Sequence, residues 1–280
     1  MDEYLFDLNG FLILKGALSA EEVAKLNGEL DALPAMTKGD WYGHVHCTSF
    51  GKRDGINLQQ IYEAGPTFAS LVDHPSWIEH VKHFVGGQDD FDSLHGPVFI
   101  DENFASIRGP GDAIGIHSGG HLGTKRTQFR YFNGRFACGQ INVLFALNDV
   151  GPGDGATMVI PASHKANLPH PEFESRTIGN QGSVDGMVGA MEVHLNAGDA
   201  LLFVDALCHG SSSRVNPGER RICVYRYGPS WGFFRHGYRP SSQLLDRLSP
   251  EARQIVMPHQ EVPREPQVKA EANQPVGAGA

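Results

Sequence analysis

Fourteen histidines in 280 residues are the first chemical feature of the chain. Most imidazoles in a globular protein are surface or satisfied polar groups, and His95, His170 and His259, which stand alone in sequence, are read that way. Three clusters differ. His44-Val45-His46 sets two imidazoles on the same side of an extended segment, a spacing that can chelate a metal, but no third donor is in view and a structural role is expected. His117-Ser118-Gly119-Gly120-His121 is flanked by glycines, which let backbone and ligand approach closely. His209 follows the run Gly198-Asp199-Ala200-Leu201-Leu202-Phe203 and precedes Gly210-Ser211, so it reads as a side chain presented at a strand end. A hydrolytic metal site around His44 and His46 would want a helical His-Glu-x-x-His or paired-carboxylate pattern, and the sequence has neither.

The elements that must position these groups are mostly short strands. Phe11–Leu14 reads as a strand. Ser19 with Glu22 three residues on forms a capping box, and Val23, Leu26, Leu30 and Leu33 recur at helical spacing until Pro34. A second helical stretch runs from Pro66 to Phe84, broken near Pro75 and closed by Gly86-Gly87. From about Leu94 the texture changes to short apolar runs separated by Gly, Pro and Asp: Pro97–Ile100, Gln140–Leu147, Thr157–Ile160, Met191–Leu195, Ala200–Phe203 and Ile222–Tyr227. Such spacing without alternating helices predicts an antiparallel sandwich or barrel. Pro161–Lys165, His164 included, reads as a structural turn. Ser241–Val256 returns to helical spacing, and the Pro- and Gln-rich stretch after Pro258 predicts a poorly ordered tail. The expectation is one mainly β domain over residues 1–258 with a helical N-terminal layer, and a tail over 259–280.

Composition excludes several classes. With 40% hydrophobic and 20% charged residues the chain is globular in type. No apolar run reaches the ~18 residues of a membrane span. The acidic N-terminus lacks the basic region and cleavage site of a signal peptide, so a cytoplasmic protein is expected. A net charge of -9 argues against a general affinity for nucleic acid. Cys47, Cys138, Cys208 and Cys223 have no paired spacing and read as reduced thiols.

Taken together, His117, Asp149–Gly155, Val159–Lys165, Gly198–Phe203, His209 and Arg220 resemble the phytanoyl-CoA dioxygenase-like family, as does the opening Asn9–Gly16 with the helix after it. The likeness covers roughly residues 5 to 235. It implies a double-stranded β-helix, or jelly roll, that uses Fe(II), 2-oxoglutarate and O2. Carried over position by position, His117 and His209 would be iron ligands. Arg220, eleven residues past His209, would pair with the distal carboxylate of 2-oxoglutarate, and Ser211 would hydrogen-bond the same group. Arg suits that task because its planar fork binds a carboxylate in two places and keeps its charge.

The chain departs from the family's His-x-Asp motif at Gly119, and Ala113–Asn148 contains no Asp or Glu from which a shifted register could supply a carboxylate. A site without that ligand is more positive by one unit and has an open position, which a chloride ion would fill. His-x-Gly sites of this type are found among relatives that act as Fe(II)/2-oxoglutarate halogenases, so Gly119 becomes the residue that decides the chemistry. The resemblance then implies chlorination of an unactivated aliphatic C–H bond. Hydroxylation remains open, with His121, a distant carboxylate such as Asp205, or water completing the site. A non-catalytic jelly-roll binding protein is the third reading. Lys125, Arg126, Arg130 and Arg135, interleaved with Phe129, Tyr131, Phe132 and Phe136, predict a small anionic substrate, a nucleotide or other phosphorylated metabolite, although charge runs usually face water. Trp231, Phe233, Phe234 and His236 could wall a pocket or belong to the core. The sequence does not specify protein partners or oligomeric state.

Overall fold

A computed structural model describes residues 1–48, 55–86, 96–180, 182–230 and 238–257. His95, His259, the Trp231–His236 aromatics and the tail lie outside the described residues. Two antiparallel sheets form the body. The larger has eight strands: β1 (Phe11–Leu14), β2 (Trp41–Tyr42), β3 (Val45–Thr48), β4 (Ile56–Gln59), β5 (Val98–Arg108), β9 (Ile141–Ala146), β12 (Ala200–Val204) and β14 (Arg220–Pro229), in the order β1-β12-β9-β14-β5-β4-β3-β2. The smaller has four: β6 (Ile114–His117), β10 (Thr157–Val159), β11 (Met191–Val193) and β13 (His209–Ser211), ordered β11-β10-β13-β6. Between β6 and β9 a two-stranded ribbon pairs β7 (Tyr131–Phe132) with β8 (Arg135–Phe136). The crossed strand order is that of a jelly roll.

Strand alternation gives the large sheet two unlike faces. On β14, Cys223, Tyr225 and Tyr227 turn outward to the helices. The Tyr225 hydroxyl donates to Phe68 O at 2.7 Å, and Trp77, fully buried, stacks on Phe145 and donates from Nε1 to the Tyr227 hydroxyl at 3.3 Å. The helical layer consists of α1 (Asp2–Asn9), α2 (Ala20–Asp31), α3 (Pro66–Ser70) and α4 (Ile78–Val85), and α2 carries the expected Ser19–Glu22 capping box. After a four-residue α5 (Phe173–Arg176), Ser241–Val256 resolves into α6 (Ser242–Arg247) and α7 (Pro250–Val256), because Ser249 caps a new helix with Pro250 at its first position. The opposite face of the large sheet carries Arg220, Ile222, Val224 and Arg226 and looks toward the small sheet.

Two differences from the sequence reading matter to the site. The run Pro97–Ile100 continues as a strand through to Arg108, since Asp101, Glu102 and Asn103 are buried polar residues that interrupt the apolar pattern without interrupting the strand. The strands β6 and β13 are too short and too rich in Gly, His and Ser to show as apolar runs.

Candidate metal and co-substrate site

Pairing of β13 with β6 sets His209 directly opposite His117, and residues so placed project to the same face. Their ring centroids lie 4.1 Å apart, and Phe203 from β12 packs edge-on against His209 at 4.8 Å. Each imidazole turns one nitrogen back to the chain: His117 Nδ1 lies 3.2 Å from Gly115 O and His209 Nδ1 lies 2.7 Å from Leu207 O. A proton held on Nδ1 by a carbonyl leaves the Nε2 lone pair for a metal, the arrangement that fixes tautomer and ring orientation at metal sites. Burial pushes the His209 pKa down to about 4, and burial with the neighbouring imidazole lowers that of His117. Both rings are therefore neutral donors at neutral pH, and the pair fits a divalent transition ion.

Gly119 takes φ of +129°, a region that L side chains rarely adopt, and a Cβ there would lie 2.5 Å from the His121 ring and 2.9 Å from Cys208 Sγ. His121 itself packs edge-on against Phe173, at 4.7 Å. No side chain at position 119 can be accommodated without moving these groups. Asp205, which is fully buried, accepts from Arg126 Nη1 and, at 3.3 Å, from Asn142 Nδ2. Its charge acts on both imidazoles, opposing the effect of burial. Among the described residues no three His, Cys, Asp or Glu side chains come together as metal ligands.

A second cluster lies along the same face. Arg220 of β14 is the register partner of Arg108 of β5, and both are buried. Arg108 Nη1 donates to Ser211 Oγ at 2.8 Å. Arg220 Nη1 donates to Gly155 O, while its Nε has no hydrogen-bond partner. Nearby Arg214 has its own carboxylate, Asp154, at 2.9 Å. Burial, then Arg108 and Arg214, lower the Arg220 pKa to about 9. Two buried guanidiniums and a hydroxyl, with Arg220 Nε unpartnered, form a site suited to an anion, and 2-oxoglutarate presents the matching group.

The model of the phytanoyl-CoA dioxygenase family matches residues 6–222. The chain belongs to the phytanoyl-CoA dioxygenase family. That family is one of Fe(II)/2-oxoglutarate-dependent oxygenases. The fungal "Dioxygenase cdmD" of Talaromyces verruculosus is 23% identical over 272 residues, covering 89% of this chain and 80% of the relative. The crystal structure of HygX from Streptomyces hygroscopicus with nickel and 2-oxoglutarate bound superposes with a TM-score of 0.68 at 24% identity, covering 86% of this chain and 92% of that one. HygX has also been crystallised with iron bound. The non-heme α-ketoglutarate-dependent epimerase SnoN from nogalamycin biosynthesis follows at a TM-score of 0.54 and 16% identity, with 81% of each chain covered. These likenesses support the jelly-roll assignment made from the fold.

Of the residues singled out in the sequence, the structure brings His117, His209, Ser211 and Arg220 to one face between the sheets. It does not gather the basic segment around them. Lys125 and Arg130 are exposed, and Arg126 is paired with Asp205. His46 is a structural residue: its Nδ1 lies 2.7 Å from the Tyr238 hydroxyl and its ring stacks on Trp41, while His44 sits exposed in the adjoining turn. His164 is buried in its turn against Asp7 O and Phe129. All four cysteines are free and buried. Arg108 was not foreseen, because nothing in the sequence marks the end of β5 as the register partner of Arg220.

Proposed function

We propose that the protein is an Fe(II)/2-oxoglutarate-dependent oxygenase acting on a C–H bond of a small molecule, with His117 and His209 as its two protein ligands to iron. The observation that carries this reading is the shared face: two neutral imidazoles paired across β6 and β13, with the buried guanidinium of Arg220, its Nε unpartnered, beyond Ser211. When bound, the metal and co-substrate supply the oxidising power. The chain supplies geometry and charge. His117 and His209 would hold the metal through their Nε2 lone pairs, while their Nδ1–H groups donate to the carbonyls of Gly115 and Leu207. Arg220, with Arg108 holding Ser211 in place, anchors the distal carboxylate and so orients the co-substrate. Phe203 keeps bulk water from the His209 ring.

Within this chemistry, chlorination is the finer reading. Its support is the backbone at Gly119, which admits no side chain, together with the lack of a third protein ligand among the described residues, so an exogenous chloride is left to complete the coordination. Hydroxylation is the second reading, favoured by one observation: Asp205 keeps a carboxylate buried beside both imidazoles. The test is optical. The protein is loaded anaerobically with Fe(II) and 2-oxoglutarate, and chloride is titrated against the metal-to-ligand charge-transfer band. A saturable shift supports chlorination. A band indifferent to chloride but altered in Asp205→Asn supports hydroxylation, and the lack of any band removes the iron assignment.

A further inference from the structure

The large sheet carries a second polar surface, beyond the histidines from Arg220. Arg226 stands six residues from Arg220 along β14, roughly 20 Å away, so this surface is separate from the co-substrate end. Register places Arg226 between Glu102 on β5 and Asn142 on β9, and places Asn142 beside Phe203, the ring that touches His209. Gln59 on β4 pairs with Phe104, on the same face as Glu102. Directly opposed residues share a face, so these groups look into the space beside the two imidazoles.

Several atoms there are buried with their hydrogen-bonding capacity unused. Asn142 and Gln59 are almost wholly inaccessible, as is Asn57 two residues before Gln59. Asn142 Nδ2 donates to Asp205 Oδ1 at 3.3 Å and Gln59 Nε2 donates to Glu102 Oε1 at 3.1 Å. Because a carboxylate can only accept, these bonds fix the amide orientations and leave Asn142 Oδ1 and Gln59 Oε1 as acceptors with no partner. Asn57 Nδ2 and Arg226 Nε are donors in the same position. An orphaned buried polar atom is costly, and native proteins keep such atoms where a ligand meets them.

The charges on this surface cancel in pairs. Arg226 Nη1 lies 2.9 Å from Glu102 Oε2, and Arg126 is bonded to Asp205. Among the described residues of this surface, each cation a phosphate or carboxylate could meet already faces a carboxylate. Unused donors and acceptors alternate instead, which is the pattern a hydroxyl group answers, since it both donates and accepts. The row also continues outward: His46 pairs with Gln59, and Trp41 with His46. Trp41 stacks on His46 at 4.3 Å, meets the Tyr238 ring edge-on at 5.9 Å and is 55% exposed, so the indole offers surface to an apolar ring face. Asn142 and Gln59 are three strands apart, roughly 14 Å, a span longer than a single sugar ring.

We propose that Gln59, Asn142 and Arg226, with Trp41 at the rim, form the substrate cradle, and that its ligand is an electrically neutral, hydroxyl-rich molecule of more than one ring, of the glycoside type. The position of this cradle beside a reacting centre rests on the oxygenase reading of His117 and His209. It replaces the anionic substrate expected from Lys125, Arg126 and Arg130.

The test is direct binding to the full-length protein without metal, by calorimetry and ligand-observed NMR. One panel holds neutral hydroxyl-rich probes (maltotriose, trehalose, sucrose, methyl glucosides), the other anions (glucose phosphate, adenylate, citrate). Neutral probes are expected to bind and anions not, with affinity falling at least about tenfold in Asn142→Leu and in Gln59→Leu. Trp41→Ala, at an exposed site that folding tolerates, should weaken binding in the same sense. Binding of anions alone, of neither panel, or of neutral probes equally well to all three variants overturns the proposal. The charge-transfer band with Fe(II) and 2-oxoglutarate is recorded on the same samples: a normal band with no glycoside binding sinks the cradle alone, whereas a missing band with glycoside binding sinks the oxygenase reading alone.

Discussion

Arg220→Gln separates a residue kept for a ligand from one kept for the fold. In the free protein Arg220 is buried beside Arg108 and Arg214 with no carboxylate of its own among the described residues, and burial with these two neighbours pushes its pKa down to about 9. The charged form is therefore disfavoured in the empty site relative to water. Glutamine removes the charge, retains a donor for Gly155 O and fills most of the space. The variant without ligand should therefore melt no lower than wild type. Co-substrate binding should move the other way. Losing a buried, charge-assisted pair to a carboxylate costs about 3 kcal/mol, or a hundredfold in Kd. The assay pairs thermal unfolding of the metal-free protein with calorimetric titration of 2-oxoglutarate into the anaerobic Fe(II) form. A variant that melts several degrees lower yet keeps its affinity for 2-oxoglutarate would refute the argument and make Arg220 a structural residue.

Acid should destabilise the metal-free protein between pH 6.5 and 4. Burial lowers the His164 pKa to about 4, so the unfolded chain binds the proton first; stability is complete above 6.5 and up to about 3 kcal/mol is lost as pH falls to 4. His164→Gln should flatten that slope by about one proton in urea titrations at stepped pH, and an unchanged slope would show the ring is not what resists acid. Gly119→Ala should cost roughly 1–3 kcal/mol from backbone strain alone, more if the His121 ring cannot move, and a denaturation midpoint equal to wild type would mean position 119 tolerates a side chain after all. Lys125→Ala and Arg130→Ala, both at exposed positions, should leave the substrate KM within about twofold, and a tenfold rise in either would restore the anionic-substrate reading.

The parts of this molecule legible in its sequence are those where local chemistry and tertiary role coincide. The capping box at Ser19, the all-apolar β12, and β9, apolar but for Asn142, declare themselves, since both faces of those strands are buried. His117 and His209 could be picked out through the glycines and the short polar residues around them, although their strands could not. What stayed hidden depends on partners far along the chain. Arg108 gains meaning only from Arg220 across 112 positions, and nothing local announces that β5 runs on through Asp101–Asn103. The basic run after His121 depends on distant partners in the same way. Its one residue that reaches the interior, Arg126, meets Asp205 seventy-nine positions away, and the pair is neutral.

That neutralisation explains why the two ends of one face differ so sharply in what they can hold. At the Arg220 end, Arg108 and Arg220 face each other across β5 and β14 and their charges add. Six residues on, the same two strands set Glu102 against Arg226 and the charges cancel. The antiparallel pairing is continuous between them, and the partner on β5 changes from an arginine at 108 to a glutamate at 102. Glu102→Gln should therefore turn the cradle cationic without touching the co-substrate end. Arg226 would keep a hydrogen-bonding neighbour and gain an uncompensated charge, so anionic probes that wild type ignores should begin to bind, while the affinity for 2-oxoglutarate stays within about twofold. If Glu102→Gln leaves anions unbound, charge pairing is not what makes this end selective, and the neutral-ligand argument loses its electrostatic half.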